Sequence, residues 1–175
     1  MTDNELIRLF LPLVKSGLTT YGYVTTTVLQ GNQPTKQGTD TEPSVHFYKI
    51  GDKRIGSPQR KSTWDDLTSI MTDTDVQVME ATWQISVLVR QPNTYTASDL
   101  ANTVAMIMQT SKFIEALKAS GVGILRIGDV RNPYLKDDRD QYQASPSFDF
   151  IISYSRNLSL TGAKIDVIEF DAKRV

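Results

Sequence analysis

Three carboxylates cluster in Asp137-Asp138-Arg139-Asp140. Carboxylate oxygens are the ligands that hard divalent cations prefer, so the cluster suggests the metal site of a hydrolase. A calcium loop, however, needs ligands at alternate positions, a central glycine and a distal glutamate, and this run has a different spacing. The pattern therefore favours a solvated loop, and a metal-dependent hydrolase stays as a minor alternative.

The other residue types that support catalysis are scarce or badly placed. The chain has no cysteine and a single histidine, His46, so a thiolate zinc site and a cysteine nucleophile are excluded. Gly121-Val122-Gly123 follows a helical pattern and precedes a strand pattern, the reverse of a dinucleotide fingerprint, so it indicates a helix cap. The sequence also lacks the Gly-x-Ser-x-Gly nucleophile elbow. We therefore predict no enzymatic activity, no metal and no cofactor.

Charge is distributed unevenly between two adjacent segments. Residues 49–61 contain five basic side chains and one acidic one, a net of +4, whereas residues 62–80 contain five acidic side chains and no basic one. The two segments could attract each other within one solvated excursion. They could instead be complementary surfaces of identical neighbours arranged head to tail, which generates a ring when the rotation closes. A third interpretation is a nucleic-acid-binding module that uses residues 49–61 with Tyr48, but the acidic segment beside it argues against this interpretation.

A polar run precedes the first charged segment. Residues 31–43, "GNQPTKQGTDTEP", contain no aliphatic or aromatic side chain. Connections of this length without structure of their own are uncommon inside compact domains and are usually functional or disordered. Together with the charged segments, the run supplies the predicted subunit or ring interface: Asn32, Gln33, Lys36, Gln37, Thr39, Asp40, Glu42, Lys53, Arg54, Arg60, Lys61, Asp65 and Asp66.

Length and composition limit the class of protein. With 175 residues, 39% hydrophobic and 22% charged, the chain is expected to form one soluble globular domain over residues 1–175. The acidic start and the absence of a twenty-residue apolar stretch predict neither a secretory signal nor a membrane span, so we expect assembly in the cytoplasm. A net charge of −1 gives no general attraction for nucleic acid.

Hydrophobic periodicity predicts the elements that hold these segments. An amphipathic helix is expected over residues 3–16, with Asp3 or Asn4 as N-cap, a kink or early break at Pro12 and Gly17 near its end. The capping box from Thr96 to Asp99 opens a helical region that ends at Gly121. Strands are expected at 21–30, 45–50, 80–90, 124–130, 148–154 and 164–170, the third and fifth with one apolar face.

These elements predict an α+β domain, in which helices pack on one face of a largely antiparallel sheet, with extended loops or a hairpin in the charged excursion at 51–79. The core should join the apolar faces of the two alternating strands to the main helical region. The predicted core cluster is Trp83, Ile85, Leu100, Val104, Ile107, Phe148 and Phe150.

Several segments together resemble a known family of phage proteins. Gln33-Pro34 with Gly38 and Pro43, "SVHFYKIGDKRIGSPQR", "WQISVLVRQ", the helical "SDLANTVAMIMQTSKFIEALKASGVGILRIGDVRNPY" and "SPSFDFIISYS" resemble the neck or tail-terminator proteins of tailed bacteriophages, specifically the gp12-like neck terminator group. The resemblance covers about residues 5–155.

The resemblance implies a structural virion protein without a catalytic motif. Such a subunit assembles, usually as a ring of six, to terminate the tail and join it to the head connector, with double-stranded DNA passing through the ring. Its implied partners are further copies of itself, a head-completion or connector protein, and the tail tube or another tail protein. In such a ring, the polar run would become ordered on assembly.

Overall fold

The computed structural model describes residues 1–31, 43–68, 70–90, 93–136 and 142–163. The helices are Asp3–Thr20 (α1), Ala97–Met108 (α2) and Ser111–Ala119 (α3). The strands are Thr27–Gln30 (β1), Ser44–Asp65 (β2), Ile70–Leu88 (β3), Gly123–Ile127 (β4), Tyr134–Lys136 (β5), Tyr142–Ala144 (β6) and Ser147–Ala163 (β7). Five strands form one sheet in the order β1-β2-β3-β7-β4, and β5 pairs with β6. Only β1 and β2 pair in parallel within these described sheets, so the predicted α+β class with a largely antiparallel sheet is confirmed.

Helix α1 begins at residue 3 as predicted but ends four residues later than the predicted 16. Its N-cap is Thr2, which forms a capping box with Glu5, so the prediction of Asp3 or Asn4 as the cap is wrong. The helix continues through Pro12 to Thr20, so the predicted early break is also wrong. Pro12 lies on the exposed side, and burial of the opposite face offsets the backbone hydrogen bond that proline removes. The buried residues of that face are Leu6, Ile7, Phe10, Val14 and Leu18.

Phe10 of α1 lies at the centre of the core between helix and sheet. Its ring packs edge-on against Phe150, with 5.5 Å between centroids, and contacts Trp83 and Phe47 at 6.2 and 6.3 Å. All seven residues of the predicted core cluster are buried in one hydrophobic cluster with these aromatic rings. The alternation in β3 and β7 therefore identified the face that the helices cover.

The helix ends are also set by local chemistry. Thr96 and Asp99 form the predicted capping box at the start of α2. At the end of α3, the Gly121 amide donates to the Lys118 carbonyl and the Val122 amide donates to the Leu117 carbonyl, the pattern of a Schellman motif. Gly121 has a φ of 74°, a left-handed conformation that suits glycine. The Gly-Val-Gly sequence is therefore a helix cap.

The strands differ most from their predicted bounds around the charged excursion. Residues 51–65 and 70–79 continue β2 and β3 as antiparallel strands, so the excursion is a long hairpin, the second of the two predicted alternatives. Strand β7 likewise extends nine residues beyond the predicted end at 154, whereas β1 covers only the last four residues of the predicted 21–30 strand. Strand β4 ends at Ile127 rather than at Val130. The predicted strand at 164–170 lies outside the described residues.

Candidate interaction surface

Three strands extend together beyond the part of the sheet that the helices cover. We call this extension the arm and define it as residues 53–65 of β2, 70–78 of β3 and 155–163 of β7. Every β2 residue from 50 to 65 is exposed, and so is every β7 residue from 155 to 162. The last buried side chains are Met79 and Tyr154, which pair across β3 and β7. From Val78 to Ile70 the arm is about 27 Å long, at the usual rise of an antiparallel strand.

The base of the arm is tied to helix α1 through Lys49. The Lys49 ammonium contacts the carboxylates of Asp3 and Asp52, each at 2.5 Å, and the Tyr154 hydroxyl donates to Asp52 at 3.4 Å. Burial acts to lower the pKa of Lys49, but the hydrogen bonds to the two carboxylates outweigh it and the pKa is raised. Burial raises the pKa of Tyr154, against the opposing effect of Lys49. This cluster links helix α1 to strands β2 and β7 at the base of the arm.

A bulge interrupts β2 in the lower half of the arm. The register with β3 shifts between Ile55 and Gln59, and Gly56 there has a φ of 67°. The Gln77 side-chain amide of β3 donates to the carbonyls of Ile55 and Gly56, at 2.8 and 3.3 Å. The two carbonyl groups of the bulge are therefore hydrogen-bonded by the neighbouring strand β3. A bulge also increases the local twist of the strands.

One face of the arm continues the side of the sheet on which the helices pack. Arg60 forms an ion pair with Asp75 at 3.0 Å, and the Ser62 hydroxyl donates to Asp73. The hydrogen bond between Arg60 and Asp75 raises the pKa of the guanidinium and lowers the pKa of the carboxyl. Beside these polar pairs lie Leu158 and Leu160 of β7, opposite Asp75 and Asp73 and each 64% exposed.

Large apolar side chains are exposed along the whole arm. Leu67, in the turn at the tip, is 97% exposed, and Trp64 faces Met71 across the strands beside it. Scattered apolar residues are normal on protein surfaces, but their concentration on one extension makes the arm a candidate interaction surface. The exposed apolar residues of the arm and its tip are Ile55, Trp64, Leu67, Ile70, Met71, Val78, Leu158 and Leu160.

Six of the predicted interface residues lie on the arm or its tip turn. Arg60 is paired within the chain, and Asp65 accepts hydrogen bonds from the Leu67 amide and the Thr68 hydroxyl, which lower its pKa and close the tip turn. Lys53 and Lys61 share the face of the arm opposite the helices, since their partners in the register are Glu80 and Thr74. Arg54 lies on the other face, opposite Met79, and Asp66 is in the turn.

The other seven predicted interface residues lie outside the described residues: Asn32, Gln33, Lys36, Gln37, Thr39, Asp40 and Glu42. The Asp137–Asp140 cluster is also outside them. Leu158 and Leu160, which the predicted interface did not include, are exposed on the same arm. The signal that could have found them is the alternation of leucine with polar residues in "NLSL", which continues the period of Phe148 to Tyr154.

The rest of the described chain offers little that resembles a catalytic or metal site. No cluster of three or more metal-ligating side chains is found among the described residues. The ring of His46 is hydrogen-bonded to the Ser44 hydroxyl at 2.9 Å, on a strand as predicted. A shallow concavity of about 390 Å³ lies on the sheet face away from the helices, where Arg131 pairs with Asp149 at 2.6 Å. None of the described helices is long and apolar enough to cross a membrane.

The chain is similar to a known family of phage proteins. A family model described as E217 gateway protein gp29 matches residues 5–163. This range includes both alternating strands of the core, the three described helices almost entirely, and the whole arm. The chain matches no curated protein significantly.

Proposed function

Because the chain belongs to the family of E217 gateway protein gp29 and is thus a phage structural protein of the head–tail connector or gateway type, we propose that it forms a ring at the joint between head and tail. The ring contains six copies of a single tail-terminator-like domain, terminates the tail and meets the head connector. Double-stranded DNA passes through its centre. The subunits assemble in the host cytoplasm and remain in the virion neck.

The observation that carries this proposal is the arm. A three-stranded extension with both faces exposed and with leucine, tryptophan and methionine on its surface leaves apolar area in water. Burial of that area against other subunits would be favourable, at about 25 cal/mol per Å² before the costs of association are subtracted. In a closed ring every subunit has the same neighbour on each side, so all interfaces are equivalent and one arm on each copy can contribute to every one of them.

The charged residues of the arm refine the predicted interface. Asp73 and Asp75 already bind Ser62 and Arg60 of the same chain, whereas Lys53, Arg54 and Lys61 make no ion pair within the described residues. We therefore propose that these three cations, rather than Arg60, face acidic groups of the neighbouring subunit. Such contacts fix the partner and its register more than they add to affinity.

The proposed ring also accounts for the charge balance and the polar run. Arg60 of β2 stands opposite Asp75 of β3 and Lys53 stands opposite Glu80, so the arm is not a uniformly basic surface. A surface whose cations are interspersed with carboxylates lets DNA pass, since many phosphate contacts would bind the DNA tightly and with strong salt dependence. Residues 32–42 are proposed to lie along the adjoining connector or tail protein.

Mass measurement of the purified chain, with negative-stain imaging, tests the ring directly. Six copies in a closed ring are expected. The double variant Lys53→Glu with Lys61→Glu should weaken assembly while the subunit stays folded, because exposed charges contribute little to a fold. Lys112→Glu, on helix α3 of the body, is the matched control and should assemble as wild type does.

Two results would reject the proposal. If the purified chain has the mass of a single copy at every concentration tested, the proposed ring is rejected. Tight retention on DNA at physiological salt would favour a nucleic-acid-binding module over a passage for DNA.

A further inference from the structure

The two long edges of the arm differ in their protection against added strands. The β2 edge contains Pro58, the bulge that begins after Ile55, and the basic residues Lys53, Arg54 and Lys61. Proline, bulges and lysine are the devices by which proteins keep an edge strand from pairing with another chain. The β7 edge has none of them between residues 157 and 163, and its pairing with β3 is continuous over this length. Only the β7 edge is therefore suited to accept a strand.

Hydrogen bonds near the start of β7 show which of its residues direct their N–H and C=O groups away from β3. The carbonyl of Asp149 accepts from the Gly128 amide, and Ser147 exchanges hydrogen bonds with Arg131, so these residues point away from β3. Backbone groups alternate along a strand, so odd-numbered residues share this direction. Ser155 agrees, because its carbonyl accepts a hydrogen bond from outside the sheet, at the Met1 nitrogen.

The outward groups of the arm belong to Asn157, Ser159 and Thr161. Each presents an N–H and a C=O at what we call the open edge, residues 157–163 of β7. In the described part of the chain, no strand pairs with this side of β7 beyond Ser153. Leu158 and Leu160 point to the face beside this edge and are 64% exposed. An added strand would therefore gain main-chain hydrogen bonds and a place for apolar side chains at alternate positions.

The sequence contains one segment outside the described residues with the composition for this role. Residues 164–170, "KIDVIEF", combine β-branched and aromatic side chains with charges, whereas residues 32–42 contain no apolar side chain to cover the leucines. The segment follows directly from Ala163, which still pairs with Ile70 of β3. To fold back on its own strand, the chain would need a tight turn at Lys164-Ile165. Neither residue is a turn former, and β-branched isoleucine resists the positive φ of hairpin turns.

We propose that the open edge of β7 binds residues 164–170 of a second copy of this chain as an added strand. A strand supplied in trans is favoured because the two-residue turn that a tight cis hairpin needs is unfavourable at Lys164-Ile165. The inference rests on the proposed function in one respect, since it needs self-association. It goes beyond the proposed function by naming the strand and the edge that join two copies.

Proline substitution at the two edges tests the proposal in the full-length chain. Ser159→Pro removes one outward N–H of β7 without removing a hydrogen bond to β3. Ser62→Pro is the matched control, because Ser62 is also an exposed serine whose backbone points outward, on the β2 edge. Each substitution removes one side-chain hydrogen bond on the surface, to Thr74 and to Asp73 respectively. Ser159→Pro should lower the assembled mass, and Ser62→Pro should leave it unchanged.

Hydrogen exchange of the wild-type assembly provides the second measurement. The amides of Asn157 and Thr161 should exchange about tenfold more slowly, or more, in wild type than in Ser159→Pro. Equal exchange and equal mass in the two proteins would overturn the inference. A ring of normal mass with an unprotected edge would remove the inference and leave the proposed ring intact, whereas a single copy in every sample would remove both.

Disulfide trapping determines whether the strand comes from another copy. The chain has no cysteine, so introduced pairs are unambiguous. Chains that carry Leu158→Cys are mixed with chains that carry either Val167→Cys or Ile168→Cys. Two variants are used because side chains alternate along a strand, so in an added strand either residue 167 or residue 168 lies on the same face as Leu158. A disulfide between the two kinds of chain is expected with one of them. A bond that forms only when both cysteines are in the same chain, or no bond in any arrangement, would overturn the proposal.

Discussion

Strand β7 passes from the core to the arm without interruption, so two truncations on it should have opposite consequences. Phe150 is fully buried, and its ring packs against Phe10 at 5.5 Å and against Phe47 at 6.1 Å. Phe150→Ala should lower the free energy of unfolding by about 3–5 kcal/mol, including the two aromatic contacts. Leu158 lies eight residues further along on the same face of the strand but is 64% exposed. Leu158→Ala should change the stability of the subunit by only about 0.5 kcal/mol or less.

Thermal unfolding of single subunits, at a concentration low enough to prevent association, measures the first difference. At about 2–4 °C per kcal/mol for a chain of this size, Phe150→Ala should melt about 6–20 °C below wild type. Leu158→Ala should melt within about 2 °C of wild type but should assemble less well, because its side chain is proposed to be buried by a neighbour. A wild-type melting curve for Phe150→Ala would refute the assignment of the core. Unchanged assembly of Leu158→Ala would refute the role of the arm.

Three further outcomes are expected. Gly17→Ala should destabilise the chain by up to about 2 kcal/mol despite the helix propensity of alanine, because its Cβ would clash with the Ile107 side chain. In denaturant unfolding, the double variant Gly17→Ala with Ile107→Ala should be destabilised by less than the sum of the two single changes. The hydrogen bonds from Thr96 lower the pKa of Asp99, so its carboxylate stabilises the folded chain above the unfolded pKa, and this stabilisation is lost as pH falls through the folded pKa. Melting temperatures measured from pH 7 to pH 3 should therefore fall less for Asp99→Asn than for wild type. Deletion of residues 32–42 should impair joining to the connector or tail in an assembly assay while lowering the melting temperature only slightly. Unchanged joining would show that the polar run does not contact the connector or tail.

The sequence predicts the body of this protein well because its elements have one buried side. The alternation from Ala81 to Val89 and from Phe148 to Tyr154 identifies the core face, and Thr96 and Gly121 mark helix ends through their own hydrogen-bonding chemistry. The exception is helix α1. Local propensity at Pro12 predicts a kink or an early break, but burial of Phe10 and its neighbours outweighs that propensity and keeps the helix continuous to Thr20.

The arm could not be predicted from periodicity, because both of its faces are exposed. Without a buried side, β2 and β3 have no apolar alternation at 53–65 and 70–78, so the sequence predicts a charged excursion there without deciding between loops and a hairpin. The complementary charge of the two segments is visible in the sequence. Its use within the chain, as the ion pair of Arg60 with Asp75, depends on a strand register that only the structure supplies.

The continuous ladder between β3 and β7 also has a mechanical consequence. Its paired residues run from Ile70 and Ala163 at the tip to Ser86 and Ser147 in the body, without a bulge. A pull along the strands loads such a ladder in shear, so that many hydrogen bonds resist together, whereas a sideways pull peels them one at a time. Strand β2, which is bulged and lies at the edge, is the compliant member of the three. The arm should therefore be stiff along its length and transmit tension at its tip directly into the aromatic core around Phe10.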